Sequence, residues 1–457
     1  MTTNVRALLT AAAALFGGAL GTYALISPPE WYGAFSASPR QLQSWLSAVP
    51  TAVAIGTVVA VLAYGAVQRA RTTRPSWVTA AVATVVLVAI RFAVHGADDV
   101  GVLTLLHYGK CIAAGILLGA TVAAAWARPL PRLALVTAVA STFVLAHGAR
   151  ADWSPSTSTL GEPSWWILVP ALVLTIGCAV TVPTGRHPDE PARAIPEVAG
   201  RVAVAAVTLA VAHRLLGAWI DGQDTSRFRL WIVIGISLVL VVSLTELWAR
   251  RSRSPFLFAA TAVAATVPFV ATVLWRESLH HLAWAVVLVG VATVAAGVVA
   301  APRLPSPVIG PAVLAVIPIW TLIDPTPSDG AGPLLVELAV LGAGIGLTLG
   351  ATLPGSGTTA ALGLVVPLLS LVFTTVVDIT TRFTIYTASY EPLPGVPSAV
   401  DSPSDTNALL VSSADAITFD RLAAAALLLV VVFCGLALRG VRSVDESEFP
   451  ESGEDEA

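Results

Sequence analysis

The chain has 457 residues, of which 56% are hydrophobic and 12% charged, with a formal net charge of −3. Its mean hydropathy is +0.81, and its apolar residues come in long blocks separated by short polar breaks, which excludes an ordinary soluble domain and points to an all-α integral membrane protein. Strict apolar alternation is absent, which excludes a transmembrane β-barrel, and no nucleic acid is expected as a partner.

A bilayer core about 30 Å thick is crossed by about 20 apolar residues in a helix. The blocks predict about fourteen spans, near residues 7–26, 46–67, 77–95, 102–126, 132–148, 164–183, 201–220, 229–248, 256–275, 282–301, 308–323, 333–352, 358–381 and 420–438. The first follows a lone Arg6 and has the length of a full span with no A-x-A-like exit behind it, so it reads as a membrane helix and not as a signal peptide.

With the N-terminus in the cytoplasm and sides alternating, fifteen arginines fall on inner segments, among them Arg69, Arg71, Arg74, Arg250, Arg251, Arg253 and Arg303. Seven fall on outer ones: Arg40, Arg150, Arg227, Arg229, Arg276, Arg382 and Arg421. A missed or invented span would scramble the sides after it. The persistence of the bias to the last loop therefore supports both the count and a multi-pass protein of the plasma membrane with cytoplasmic termini. Two segments lie outside the membrane: a Pro-, Ser- and Asp-rich outer loop at 383–419, and an acidic cytoplasmic tail at 441–457.

An ionisable residue inside a span costs at least about 2.5 to 3.5 kcal/mol, so each needs a reason. Lys110 is the only lysine of 25 basic residues, and it lies roughly 12 Å along the fourth span at 1.5 Å per residue. Arg91 sits at a similar depth in the third span, roughly 21 Å from its inner end. Arg91, His95 and Asp98 share one helical face, which suggests a small cluster in the outer half where Asp98 or Asp99 neutralises Arg91, Lys110 or both. An ion pair locking spans 3 and 4 together accounts for such a cluster as well as a transport role does.

His213 and Arg214 in the seventh span read as structural or lipid-proximal. Glu246 with Arg250, and Asp378 with Arg382, stand at i, i+4 and read as local pairs. Glu337, near the outer end of the twelfth span, has no basic residue three or four positions away in the sequence and is a candidate for cation or proton binding. Small residues recur every four positions at Gly17 and Gly21, at Gly115 and Gly119, and at Gly342, Gly346 and Gly350, a spacing that lets helices approach closely. Pro170, Pro268, Pro318 and Pro367 fall within spans and can bend them.

Cys111, Cys178 and Cys434 lie inside apolar blocks without paired spacing, so neither a disulfide framework nor a metal site is indicated. GSGTT at 355–359 lacks the lysine of a phosphate loop, and no HExxH or nucleophile elbow is present. No cofactor and no enzymatic activity are expected.

SASPRQLQSWLSAVPTAVAIG after the first span, ELWARRSRSPFLF after the eighth, RLPSPVIGPAVLAV between the tenth and eleventh, the Gly-rich LGAGIGLTLG, and the closing SSADAITFDRLAAAALLLVVVFCGLALRGVR resemble, in order and spacing, the fourteen-helix drug:proton antiporter branch of the major facilitator superfamily. The likeness covers nearly the whole chain. Departures mark a divergent member: the loop between helices 2 and 3 reads GAVQRARTTRP, without the family's Asp and second Gly, helix 5 lacks G-x-x-x-G-P, and helix 1 lacks its acidic residue.

The resemblance implies an N-terminal six-helix bundle over 1–183, a cytoplasmic linker and two extra helices over 184–255, and a C-terminal six-helix bundle over 256–440. It further implies a secondary transporter exporting a small organic or amphipathic compound by alternating access, driven by protons. Against the family's helix 4 pattern L-x-x-x-R-x-x-Q-G, Leu106 and Lys110 take the Leu and Arg positions, which implies a part in proton transfer for Lys110. A buried lysine suits that part, since its ammonium can lose a proton where an arginine cannot. The alternative is a divergent envelope protein that no longer transports.

Overall fold

The computed structural model describes residues 3–27, 39–70, 72–95, 97, 99–145, 160–181, 196–221, 227–252, 254–267, 269–270, 283–324, 330–370 and 413–447. Their secondary structure is helical: α1 (Thr3–Ile26), α2 (Pro39–Val67), α3 (Arg74–Val94), α4 (Val100–Ala125), α5 (Pro129–Leu145), α6 (Trp165–Thr181), α7 (Pro196–Asp221), α8 (Arg227–Ser252), α9 (Pro255–Ala264), α10 (Ala283–Ala300), α11 (Ile309–Ile323) and α12 (Ala331–Gly350). α13 (Gly357–Ser370) and α14 (Ser413–Ser447) complete the order. Each falls on one of the fourteen apolar blocks. Among the described residues, nine of these helices are long and apolar enough to cross a bilayer and five are shorter. Helix is what such blocks must form, because lipid offers no partner to an unpaired backbone group.

Local chemistry sets several boundaries. Asp99 starts α4 as its N-cap, its carboxylate accepting from the Val102 amide at 3.1 Å. α9 is α-helical to Ala264 and a turn follows at residues 265–266, after which Val267, Phe269 and Val270 are again helical. Pro268 stands four residues beyond Ala264 and has no N–H for that carbonyl. α14 begins at Ser413 and ends at Ser447, so it takes in the last residues of the expected outer loop and the first of the acidic tail. Pro170 and Pro318 lie inside α6 and α11. Asp98, Asp378, Arg382, most of loop 383–419 and residues 448–457 lie outside the described residues.

Packing follows a repeat. α1 packs on α4, α5 and α6, α2 on α4, and α3 on α4 and α6. Eight helices later α9 packs on α12 and α14, α10 on α12, and α11 on α12 and α14. Gly363 of α13 lies against the Phe256 ring of α9, as Gly18 of α1 lies against Leu135 of α5. Points of closest approach correspond too. A Cβ on Gly115 would meet the Gly56 carbonyl and the Ala60 amide, and one on Gly346 would meet the Val294 carbonyl and the Val298 amide. Only glycine admits a neighbouring backbone this near.

An interval of eight helices, being even, leaves each helix and its counterpart running the same way across the bilayer, the relation of a parallel repeat. α7 and α8 stand outside it. α7 packs on α2, and α8 on α7 and α9, and only 28% and 22% of their apolar windows are buried, against 67% for α1. α1 is therefore central and the inserted pair peripheral. The two groups meet where α5 packs on α10 and α12.

Candidate functional site

α4 carries Lys110 into the packed interior, where it is 1% exposed. Its Nζ donates to the carbonyl of Ser27 at 3.0 Å and to that of Leu160. The Ser27 amide closes the last turn of α1 by donating to the Tyr23 carbonyl at 2.8 Å. The ammonium thus sits at the negative end of the α1 dipole. Leu160, itself fully buried, opens a five-residue segment, 160–164, that leads into α6.

That segment is built around a turn. Gly161 adopts φ 62°, a left-handed conformation that strains any residue with a side chain. Beyond it Glu162 folds back, its Oε1 accepting from the Leu160 amide at 3.1 Å, and it is 5% exposed. The next carbonyl, that of Pro163, accepts from Nη1 of Arg91, whose guanidinium lies 4.9 Å from the Trp165 ring centroid. One short segment therefore offers carbonyls to a cation from α3 and a cation from α4, and holds a buried carboxylate between them.

Water is kept away by a small apolar cluster of Trp45, Val49, Ile90, Val94 and Leu160, separate from the main core. His107, one turn before Lys110 and 1% exposed, sets its ring at a tilt to Trp45, centroids 5.8 Å apart, with its Nε2 3.8 Å from the Cys111 sulfur.

Arg91 and Lys110 are thus brought together at one segment. Asp99 is exposed and occupied in capping α4, and Asp98 is not described. Glu337 lies partly buried on α12, which packs on α5, α9, α10 and α11. His213 is buried with Nδ1 2.8 Å from the Leu209 carbonyl, and Arg214 donates to Thr51 Oγ1 at 2.8 Å and to the Ser47 carbonyl at 3.3 Å, fastening α7 to α2. Glu246 and Arg250 form the ion pair their spacing suggests.

Sequence reasoning passed over Glu162, because ADWSPSTSTLGEPSWW reads as a solvated loop. The available signal was its abutment on Trp165 and Trp166, residues of the kind that mark a membrane interface. With Gly115 matched to Gly346, the counterpart of Lys110 is Leu341, a fully buried core residue.

At the other end of the bundle a cavity of about 600 Å³ lies between the ends of α8, α10 and α12 and the starts of α9 and α13, beside Leu438 of α14, lined by Ser252, Ser254, Thr352, Ser356 and Thr359 among others. Nearby the Trp126 indole N–H, just past α4, donates to the Pro354 carbonyl at 3.1 Å, joining the two groups of helices.

No protein-family model matches the chain, and no curated protein matches it. Among solved structures it is similar to a proton:xylose symporter of the major facilitator superfamily, XylE bound to 6-bromo-6-deoxy-D-glucose, at 14% identity and a TM-score of 0.46 over 97% of this chain and 100% of that one. It is likewise similar to the E. coli xylose transporter XylE in a partially occluded inward-open conformation, at 13% identity and a TM-score of 0.46 over 95% of this chain and 96% of that one.

Proposed function

We propose that the chain is a secondary active transporter of the major facilitator type. In this reading residues 1–183 and 256–440 form two six-helix bundles that rock about a substrate site near the bilayer midplane, with α7 and α8 between them as an insertion. The observation that carries the reading is the recurrence of one set of helix pairings, down to matched glycine contacts, at an interval of eight helices. Parallel repeats of this kind are a common transporter architecture, with the site at the repeat interface. In this reading, which the arginine distribution supports, both termini are cytoplasmic and the 160–164 segment lies at the outer face.

Arg91 and Lys110, cations too costly to keep in a membrane without a role, stand on the path of protons or substrate from that face. Glu337, with Asp98 and Asp99, remains a candidate for the same path. By its resemblance in motif order the protein exports a small organic or amphipathic compound against an inward proton flow.

A second reading has its own support. Lys110 binds the α1 terminus and the 160–164 segment through backbone carbonyls, as a structural tie would, in a membrane protein that no longer transports.

Reconstitution separates the two. Liposomes containing the protein and a trapped pH-sensitive dye are given a proton gradient and a panel of amphipathic cations, weak acids and sugars. Transport predicts compound-dependent proton movement that is lost in Lys110→Ala at equal protein level. If no compound moves protons, and Lys110→Ala only reduces the amount of folded protein, the structural reading stands in its place.

A further inference from the structure

We infer that the cavity at the end of the bundle opposite Lys110 is a binding site for a phosphorylated polyol, whose hydroxyls enter the cavity and whose phosphate stays at its mouth. At about 600 Å³ it has the size of a small-molecule pocket, typically about 300 to 1,000 Å³. Its lining begins at Ser252 and includes no residue before it. The site therefore lies apart from any between the two bundles, and it stands whether or not the chain transports.

The wall selects for a ligand that donates. Ser252 Oγ donates to the Trp248 carbonyl at 2.7 Å, Thr352 Oγ1 to that of Thr348 at 3.0 Å and Thr359 Oγ1 to that of Ser356 at 2.9 Å. Each hydroxyl has thereby committed its one proton and keeps acceptor capacity on its oxygen. Ser254, the N-cap of α9, makes no side-chain capping bond, and its buried Oγ has no partner. Four more lining residues, Pro255, Pro302, Pro307 and Pro354, carry no amide N–H. A molecule that fits such a wall brings its own O–H groups.

Charge stands at the mouth. Pro302, Leu304, Gly355 and Ser356 are the exposed residues of the lining, and Arg303 stands between the first two. Arg251 and Arg439 adjoin the lining residues Ser252 and Leu438. All three arginines are exposed, none of them forms an ion pair among the described residues, and no carboxylate lines the cavity. Helix ends do not set the sign, since α8, α10 and α12 end here while α9 and α13 begin here. The arginines do, and a guanidinium matches a phosphate bidentately. An ammonium would also suit the wall, but three arginines at the mouth repel it. Two sources carry the required chemistry: a soluble ester such as glycerol 3-phosphate, and the glycerol phosphate headgroup of a membrane lipid. Pro354, which lines the cavity, also accepts the Trp126 indole N–H, so the occupant lies beside the bond that joins the two groups of helices.

Calorimetric titration of the full chain in an uncharged detergent separates the parts of this recognition. The ligands are glycerol 3-phosphate, inorganic phosphate, glycerol, and short-chain phosphatidylglycerol and phosphatidylcholine, the last with no hydroxyl on its headgroup. The expected result is saturable binding of glycerol 3-phosphate, of phosphatidylglycerol or of both, at least about fivefold tighter than of the other three, as one added neutral hydrogen bond gives. Glycerol 3-phosphate alone marks a soluble ligand, and binding of phosphatidylglycerol marks a lipid headgroup. Thr352→Val removes a hydroxyl at nearly constant shape and should weaken the polyol phosphate about fivefold while leaving inorganic phosphate unchanged. Arg303→Gln should weaken both about two- to fivefold, and Arg69→Gln, at an exposed arginine beyond α2, neither. Were Thr352→Val to misfold, the contrast between Arg303→Gln and Arg69→Gln still decides. The inference is overturned by a lack of saturable binding, by inorganic phosphate binding as tightly as the polyol phosphates, or by equal losses in the two arginine variants.

Discussion

Lys110 on α4 donates to the carbonyl of Ser27, 83 residues earlier in the chain, at 3.0 Å. This bond joins a mid-helix cation to the end of another helix, and through Leu160 the same ammonium reaches the start of α6. Three helices of the first bundle thus converge on one side chain whose position in the other bundle is taken by Leu341. At this matched position the packing is repeated while the charge is not.

Replacing Lys110 by Met leaves two buried carbonyls without a donor, each costing about 1 to 3 kcal/mol. Thermal unfolding in detergent should show a lower midpoint for Lys110→Met than for Leu341→Met, a volume-conserving swap expected to cost less than about 1.5 kcal/mol. Equal midpoints would mean that the ammonium bonds contribute nothing to holding α1 and α6 against α4.

Arg91 makes a different demand on its surroundings. Its planar guanidinium both donates to Pro163 and lies over Trp165, so Arg91→Lys keeps the charge and loses the stacked geometry, worth about 0.5 to 2 kcal/mol. Trp165→Leu should weaken the protein by a similar amount, and the double variant by less than the sum of the two. Additive losses in a double-mutant cycle would remove the stacking contact from the account.

Fourteen apolar blocks were legible because lipid forces every such block into a helix of defined length, and the Gly115 and Gly119 face was legible because close packing of helices needs small residues. The partners of Lys110 were not. They are backbone carbonyls at positions 27 and 160, and every residue carries the same carbonyl, so nothing in the side-chain pattern marks these two. The sequence pointed to Asp98 or Asp99 because carboxylates are what a pattern can display. Asp99 instead caps the very helix that carries Lys110, a use its place just before an apolar run also permits. Glu162 was hidden by its setting, since a Pro-, Ser- and Thr-rich stretch gives no sign that its last residues fold under the helix ends.

Gly115 and Gly346 occupy matching places in the two bundles, and each faces a backbone carbonyl that cannot move aside as a side chain can. Gly115→Ala and Gly346→Ala should therefore destabilise the protein comparably, by about 1 to 3 kcal/mol each. Gly200→Ala, where a Cβ meets nothing within 4 Å, should do no harm and supply the control. A large loss at one matched glycine and none at the other would count against equivalence of the two bundles.

Trp126 and Pro354 join the two groups of helices at the end opposite the Lys110 site, and on the proposed transport reading this contact breaks when that face opens. Trp126→Phe keeps the ring near Arg132, whose guanidinium lies 5.9 Å from the Trp126 ring, but removes the N–H that donates to Pro354 at 3.1 Å. A neutral hydrogen bond is worth about 1 kcal/mol net, which corresponds to about a fivefold change in the ratio of open to closed. Spin labels at Ala127→Cys and Gly355→Cys, both exposed positions, report the separation of the two bundles in a protein whose own cysteines are buried. The distance distribution should gain a longer component in Trp126→Phe, and addition of a transported compound should change its weight, because a ligand shifts such an equilibrium only by binding the two states unequally. A distribution identical to that of the labelled parent would show that the indole bond does not hold this face closed and would place the closure on the packing of α5 against α10 and α12.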